Sequence, residues 1–492
     1  MAGIGVKLQK IYGKQTILSN LAGFGYSTMV TVAPMFVVIG NVMLMSNVLG
    51  YETVGYARRG LFSGTILYIF IFSLLTASPF NAVLSRYMSD VIYEEKYEDI
   101  LPCYYLGLFL NVIFSCIPGI PFCIREYIAG GVNLLFVFTG FCGYISLVLV
   151  FYSMLYLSIC KDYQKISVFF LTGMVAAFGL SCLLVKVFHR DVAYSMLLSL
   201  SCGFFLTASL EIATIKRYFK KNSNTYRRIL GYFKKYWQLV LINFLYTLGL
   251  YIHNFVFWTT DLKMTVVNSF IYAPTYDLAT CIAMFTNLSS TIIFISRVEM
   301  HFHERYKAYS EAVIGGRWAD IKNAKDRMFR QLSIELLNLV RIQFIISVVL
   351  FLVCEIFLPR YGFSGNVMQI YPCLAAGYFI LFLQYAEIIF LYYFNDMTGA
   401  LLTSFGFCAA TWVVSIFATR MSNIWYGIGV VAGSFLGFTI AYLRLRWVER
   451  NMDRHIFCKG VLFPVKSGTR PPSKVYSRYE KNEGRKAKAW KR

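Results

Sequence analysis

The side chains of this sequence that could do chemistry are a few polar groups within long apolar segments. Asp277, in the segment YAPTYDLAT just after Pro274, lies deepest in such a segment, whereas Glu355 and Glu387 lie nearer to segment ends. A charge at the centre of a bilayer costs about 2.5 to 3.5 kcal/mol, so these groups should face the interior of a helix bundle or water. Acids, amides and phenols in that setting can bind sugar hydroxyls without covalent chemistry.

The candidates to line a transport path all fall in the second half of the chain. They are Asn243, His253, Asp277, Asn287 and Glu387. Two other interpretations stay open. Asp277 could simply pair with a neighbour such as His253, and Glu355 and Glu387 could reach the interface from the ends of their helices.

The first half of the chain is almost free of charge within its apolar segments. Residues 18–45, 61–84, 101–124 and 127–160 contain no Asp, Glu, Lys or Arg, and Glu211 is the only acid expected in a span of this half. A cation-coupled antiporter needs an acid within the membrane to bind a proton or sodium. The sequence therefore argues against a coupling site in the first half.

No motif of an enzyme, a metal site or a cofactor site is evident. The sequence has no GxSxG motif and no phosphate-binding loop, and its 12 cysteines are scattered without a CxxC pair. His301, His303 and Glu304 lack the spacing of an HExxH zinc site. We therefore predict a protein that is not an enzyme, with no catalytic residue, metal, cofactor or disulfide framework.

Long apolar segments must position these groups. A helix needs about 20 apolar residues to cross a hydrocarbon core, and a composition of 58% hydrophobic and 15% charged residues is far from that of a soluble domain. The predicted spans are 18–46, 61–84, 101–124, 128–160, 166–187, 192–214, 236–259, 266–296, 336–358, 366–394, 399–418 and 423–443. They predict an all-α polytopic membrane protein with about 12 transmembrane helices.

The charge distribution predicts how the chain is oriented. The net charge of +22 comes mostly from the amino-terminal segment, alternate loops and the carboxy-terminal tail, which would all lie on one side of the membrane. Basic residues collect on the cytoplasmic side of membrane proteins. We therefore place both termini in the cytoplasm and the protein in the cell (inner) membrane, and we see no cleavable signal peptide.

The basic segment 215–235 divides the spans six and six, which predicts two six-helix lobes around a central cavity. The predicted parts are a cytoplasmic segment (1–17), the N-lobe (18–214), the inter-lobe loop (215–235), the C-lobe (236–446) and a basic, disordered tail (447–492). Within the C-lobe, a cytoplasmic loop (299–335) should form two interfacial helices around Gly315 and Gly316. The inter-lobe loop is expected to lie near anionic headgroups.

Several distributed segments resemble the PelG family of Pel exopolysaccharide transporters, which is similar to a divergent branch of the multidrug/oligosaccharidyl-lipid/polysaccharide flippases. They include MAGIG, AGFGYSTMVTVAPM, SRYMSDVIYEEKYEDILP, FKKYWQLVLINFLYTLGLYIHNFVFW, ISRVEMHFHERYKAYSEAVIGG, LYYFND and WYGIGVVAG. The resemblance covers residues 1 to about 458. It implies twelve helices in two lobes, in agreement with the hydropathy pattern.

The resemblance also implies a function. It predicts passage of an N-acetylhexosamine-rich polymer from a cytoplasmic glycosyltransferase across the membrane, in a complex with other Pel membrane proteins that includes a cyclic-di-GMP receptor. The family pattern has an acidic and a basic residue in the seventh span, where this chain has His253 and Asn254. The basic tail after about Phe457 extends beyond the family pattern.

Three alternatives differ in what the protein would do. A lipid-linked oligosaccharide flippase would share the fold but release its cargo on a lipid carrier. A membrane scaffold would assemble a polysaccharide synthase complex through its cytoplasmic loops without transporting anything. A cation-coupled drug antiporter fits the fold but not the charge-free first half.

Overall fold

The computed structural model describes residues 34–160, 162–220, 222–288, 299–361 and 365–453, and nearly all of them are helical. The helices of this part of the chain are α1 (Pro34–Val48), α2 (Tyr56–Tyr93), α3 (Ile100–Ile128), α4 (Leu134–Ile159), α5 (Tyr163–Cys182), α6 (Val192–Tyr218), α7 (Tyr226–Lys235), α8 (Trp237–Phe257), α9 (Pro274–Asn287), α10 (Glu299–Gly315), α11 (Trp318–Phe357), α12 (Gly365–Tyr393), α13 (Met397–Ala418) and α14 (Ile428–Asp453). Two short strands, β1 (Met264–Val266) and β2 (Phe270–Tyr272), connect α8 to α9.

Ten of the described helices are long and apolar enough to cross a membrane. They correspond to ten of the predicted spans and confirm an all-α polytopic membrane protein. The other two predicted spans, 18–46 and 266–296, extend into residues outside the described part. Within that part the first contributes α1 and the eighth contributes α9, so the total of twelve stays a prediction.

The predicted eighth span is wrong in its first part. Residues 264–272 form an antiparallel hairpin in which Met264 pairs with Tyr272 and Val266 with Phe270. The hairpin turn places Val267 at φ 51°, a left-handed conformation that a β-branched residue rarely adopts. Pro274 begins α9 rather than interrupting a longer helix, because its fixed φ and missing N–H suit the first turn.

The helices pack as two groups that meet along α2 and α8. The described residues up to Leu443 belong to one compact unit, in which α4 packs on α6 and α2, and α5 packs on α6. In the second group α8 packs on α13 and α9 on α12. The hairpin packs on α2 at Gly60 and Gly64, where a Cβ on Gly64 would lie 2.5 Å from Cε1 of Phe270. These glycines allow the two groups to approach closely.

The predicted inter-lobe loop contains a helix. Arg228 of α7 donates to both carboxylate oxygens of Glu94, each at 2.9 Å, and lies 3.5 Å from Oδ2 of Asp99. Tyr232 of the same helix donates to Asp90 at 2.9 Å. These bonds attach α7 to the end of α2 opposite the hairpin. The two ends of the molecule are called below the α7 end and the hairpin end.

The predicted loop 299–335 contains two helices that meet beside Gly315 and Gly316, and the second extends beyond the predicted loop. It is the start of α11, which continues without a break into the ninth span. Of the second unit, residues 444–492, the structure describes the helical residues to Asp453. The other residues of the predicted tail and the segment 1–17 lie outside the described part.

We predict that Arg228→Ala lowers stability by about 1 kcal/mol at most near neutral pH, because both partners are about one-third exposed and solvent screens the pair. Hydrogen bonds from Lys96 and Arg228 hold the pKa of Glu94 below its ordinary value. A lowered folded-state pKa contributes stability above the ordinary carboxyl pKa and loses it as the pH falls. In thermal melts of detergent-purified protein, the difference between variant and parent should therefore shrink below about pH 4.

The matched control is Arg227→Ala, which removes an exposed cation from the same helix. It should change the melting temperature little at any pH. Equal effects of the two substitutions would show that general charge on α7 matters, rather than the pairing with Glu94.

Candidate functional site

Asp277 is the acid among the predicted path residues whose two carboxyl oxygens both accept hydrogen bonds from the protein. Its Oδ1 accepts from Nδ2 of Asn254 at 2.7 Å, and Nε1 of Trp258 donates to both carboxyl oxygens at 3.0 Å. Its Oδ2 also accepts from the backbone N–H of Ala273, just before α9, at 3.0 Å. The side chain is 4% exposed. Asp277 therefore fastens the start of α9 to the end of α8.

His253 does not pair with Asp277. Its Nδ1 lies 2.9 Å from the hydroxyl of Tyr276, and its Nε2 lies 3.3 Å from the hydroxyl of Tyr378 in α12. Asp277 does pair with neighbours, but not with His253, because adjacent residues of a helix point in different directions. Asn254 hydrogen-bonds to the acid, and His253 hydrogen-bonds to the two phenols. The imidazole is fully buried and joins α8, α9 and α12.

Asn287, at the end of α9, forms a second polar group. Its Nδ2 donates to the backbone oxygens of Ala283 at 3.0 Å and Ala375 at 3.1 Å. Its Oδ1 accepts from Ser347 at 2.7 Å and from Gln343 at 3.5 Å. Asn287 therefore links α9 with α11 and α12.

The remaining two candidates lie farther toward the α7 end. Asn243 is half-buried and donates to the backbone oxygen of Leu239 at 2.9 Å, with the hydroxyl of Tyr392 at 3.5 Å. Glu387 is 1% exposed, and its Oε2 has no partner among the described residues. One turn earlier, neither polar atom of the buried Gln384 has a partner there. The polar groups of this region are thus incompletely hydrogen-bonded.

The structure therefore places the five predicted residues on three helices, α8, α9 and α12, but in separate groups. None of the contacts joins one candidate directly to another. The side chains around them are amides, phenols and hydroxyls, which can exchange hydrogen bonds with a polar ligand. Within the described residues, no group of three or more His, Cys, Asp or Glu could hold a metal ion.

An aromatic cluster connects this region to the N-lobe at the hairpin end. The ring of Tyr68 in α2 stacks on Trp258 at 4.8 Å and on Phe122 at 5.2 Å, and it contacts Phe270 of β2 at 4.6 Å. The Tyr68 hydroxyl donates to the backbone oxygen of Ile271 at 2.5 Å. One face of Trp258 therefore packs against the first group of helices, and its N–H binds the acid of the second.

Sequence reasoning missed Trp258, Gln384 and Glu126. Glu126 is a buried acid of the first half, which the predicted end of the third span at 124 left outside the membrane, whereas α3 continues to Ile128. Gln384 was visible as a polar residue in mid-span. Nothing in the sequence marks Trp258 as the partner of an acid nineteen residues later.

Comparison with known proteins identifies a matching family and similar folds. A family model described as "PelG: Putative exopolysaccharide Exporter (EPS-E)" matches residues 1–457. A search of curated proteins gave no match.

The similar solved structures are transporters. An outward-facing multidrug resistance MATE family transporter of the MOP superfamily has a TM-score of 0.56 and 14% identity, over 87% of this chain and 96% of that chain. An inward-facing MATE structure has a TM-score of 0.58 and 13% identity, over 86% and 96%. A MOP superfamily transporter from Pyrococcus furiosus Vc1 (DSM3638) is described with a binding pocket of reverse polarity. It has a TM-score of 0.54 and 11% identity, over 86% of this chain and 96% of that chain. At these identities the likeness shows the fold.

We predict that Trp258→Phe destabilises the protein by about 1 to 3 kcal/mol, because it keeps an aromatic ring against Tyr68 but removes the N–H that binds Asp277. Trp412→Phe is the matched control, since Trp412 is half-exposed on α13. Thermal melts of the two purified variants would measure the difference. Equal melting temperatures would show that the indole N–H contributes nothing to the attachment of α9.

Proposed function

Because the chain belongs to the PelG family, we propose that it exports an N-acetylhexosamine-rich, Pel-type exopolysaccharide from the cytoplasmic side across the inner membrane. The family match over residues 1–457 carries this proposal. The transporter fold supports movement of a substrate rather than its chemical conversion.

The proposed path runs through the C-lobe, along Asn243, His253, Asp277, Asn287 and Glu387. Four of these side chains are buried and Asn243 is half-buried within otherwise apolar helices, which supports this path. Sugar hydroxyls can donate to and accept from the same groups, so the polymer can replace bonds such as that between Asn254 and Asp277. An exchange of one hydrogen bond for another has a small net cost.

Aromatic rings beside these groups can pack against the apolar face of a sugar ring. The apolar face of a pyranose can pack on rings such as Tyr276 and Tyr378, whose hydroxyls lie at His253. Four of the five candidates are hydrogen-bonded to their own partners in this structure. Export in this proposal therefore requires a change in which α8, α9 and α12 separate enough to admit the polymer.

The proposed partners are a cytoplasmic glycosyltransferase, a cyclic-di-GMP receptor protein and other Pel membrane proteins. The family resemblance supports them, because a polymer made in the cytoplasm must be passed directly to its exporter. Copurification of these proteins with the tagged chain would support the assembly. Their absence from every purification that retains export activity would contradict it.

We expect Asp277→Asn to reduce secretion at least tenfold, because its amide would put a donor against Asn254 and Trp258 and remove an acceptor for sugar hydroxyls. The measurement is secreted hexosamine polymer from a deletion strain that carries the parent chain, the variant or Asp261→Asn, an exposed acid at the same end. Membrane abundance and copurified partners are measured for each. Secretion is compared at equal abundance, and Asp261→Asn should secrete normally.

Two outcomes would contradict the proposal at different levels. Normal secretion by the deletion strain would exclude this chain as the exporter. Normal secretion by Asp277→Asn at equal abundance would remove Asp277 from the path. Cysteine substitutions at all five candidate positions provide a second test, and the path would be rejected if none reacted with an aqueous thiol reagent while polymer is being made.

The proposed orientation predicts which ends of the molecule are accessible from outside. Lys263→Cys lies beside the hairpin and Lys234→Cys on α7, and both native side chains are exposed. A membrane-impermeant maleimide should label Lys263→Cys in spheroplasts and Lys234→Cys only after lysis, above the labelling of the parent chain. The reverse pattern would overturn the cytoplasmic placement of α7.

A further inference from the structure

A cavity of about 210 Å³ lies within the N-lobe at the hairpin end, between α2, α3 and α4. Its walls are mostly apolar, and Phe270 of the hairpin closes one side. The aromatic rings that line it are Tyr68, Phe72, Phe122, Phe136, Phe141, Tyr144 and Phe270. None of the proposed path residues lines this cavity.

One acid lines the same cavity. Glu126 of α3 is 2% exposed, and its Oε2 accepts a 2.7 Å hydrogen bond from the hydroxyl of Ser269 in the hairpin turn. Its Oε1 has no partner among the described residues. The neighbouring Arg125 donates instead to the backbone oxygen of Ser269 at 3.5 Å. A buried carboxyl oxygen without a donor is costly, so a ligand that brings a donor would be favoured there.

We propose that this cavity binds a small apolar molecule that carries one ammonium group. Aromatic faces attract cations, and an ammonium donates a charge-assisted hydrogen bond to a carboxylate. Glu126 Oε1 supplies that acceptor, and rings such as Tyr68 and Phe122 supply the apolar walls. The volume, below the roughly 300 Å³ at which drug-sized pockets begin, limits the ligand to about one ring with a short side chain.

The same wall does not suit a sugar. The hydroxyl of Tyr68 already donates to Ile271, that of Tyr144 to Thr76, and that of Thr65 to Leu61. A pyranose would bring several hydroxyls into a wall with few unused partners, and each unsatisfied group would oppose binding. The ammonium site is therefore separate from the proposed export path, and the inference does not depend on polymer export.

The hairpin connects this site to the second group of helices. Ser269 holds Glu126, Phe270 closes the cavity, and Tyr68 stacks on Trp258, which binds Asp277. A ligand in the cavity would contact both the hairpin and the ring beside Trp258. Indole fluorescence should therefore report its binding.

The test is titration of the purified full-length protein with 2-phenylethylammonium, with 2-phenylethanol as the neutral probe of similar shape. Saturable binding is read by calorimetry and by tryptophan fluorescence. The ammonium should bind at least about tenfold more tightly than the alcohol, and Glu126→Gln should weaken ammonium binding by about the same factor.

Two further variants separate the site from general effects. Glu211→Gln alters a fully buried acid of α6 in the same lobe that does not line the cavity, and it should bind the ammonium within twofold of the parent. Phe122→Leu keeps the acid but removes an aromatic face, and it should weaken binding of the ammonium more than binding of the alcohol. This variant decides the question if Glu126→Gln fails to fold.

The proposal would be overturned if the parent chain showed no saturable binding, or if the alcohol bound as tightly as the ammonium. Unchanged binding by a folded Glu126→Gln, or by Phe122→Leu, would also overturn it. Displacement of the ammonium by a hexosamine oligosaccharide would show that the cavity takes sugar after all. Because binding is measured on the purified protein, failure here would leave the export proposal untouched.

Discussion

In hydrocarbon a buried polar group has no water to bind, so the protein itself must supply its partner. The carboxyl of Asp277 meets this constraint with an amide, an indole and a backbone N–H, all contributed by the end of α8 and the residue before α9. These bonds fix how α9 starts, and hence where the hairpin that precedes it lies. Because Trp258 also stacks on Tyr68 of α2, the same interaction determines how the two groups of helices meet at this end.

The buried polar side chains of the second group of helices differ in how completely they are hydrogen-bonded. Around Asp277, His253 and Asn287 the side chains are held by several helices at once, whereas Gln384 and Glu387 of α12 keep atoms without partners among the described residues. Each such atom has lost water without gaining a hydrogen bond, and Oδ1 of Asn254 beside Asp277 carries the same cost. Water or a polar substrate could supply the missing hydrogen bond at either place.

Much of the fold could be predicted from the sequence because long apolar segments have few alternatives to a membrane-spanning helix. The shorter run around MTVVNSFIY could not, since periodicity does not distinguish a short strand from a helical segment, and the strands form only because β1 and β2 pair with each other. At the site, polarity within the membrane identified Asp277 and His253 as buried groups. Their true partners depend on which direction each side chain takes from α8 and on the approach of α9 and α12, which the sequence does not specify.

Helix α11 has a mechanical consequence. At 1.5 Å per residue, its 40 residues extend roughly 60 Å, about twice the thickness of a hydrocarbon core. About half of this length therefore exceeds the hydrocarbon core and can act as a lever with its pivot at the membrane surface. Because the projecting half is about 30 Å long, a change of about 10° in the tilt of the helix would move its far end by about 5 Å. The short connection at Gly316 and Arg317 makes α10 the first element to receive that movement.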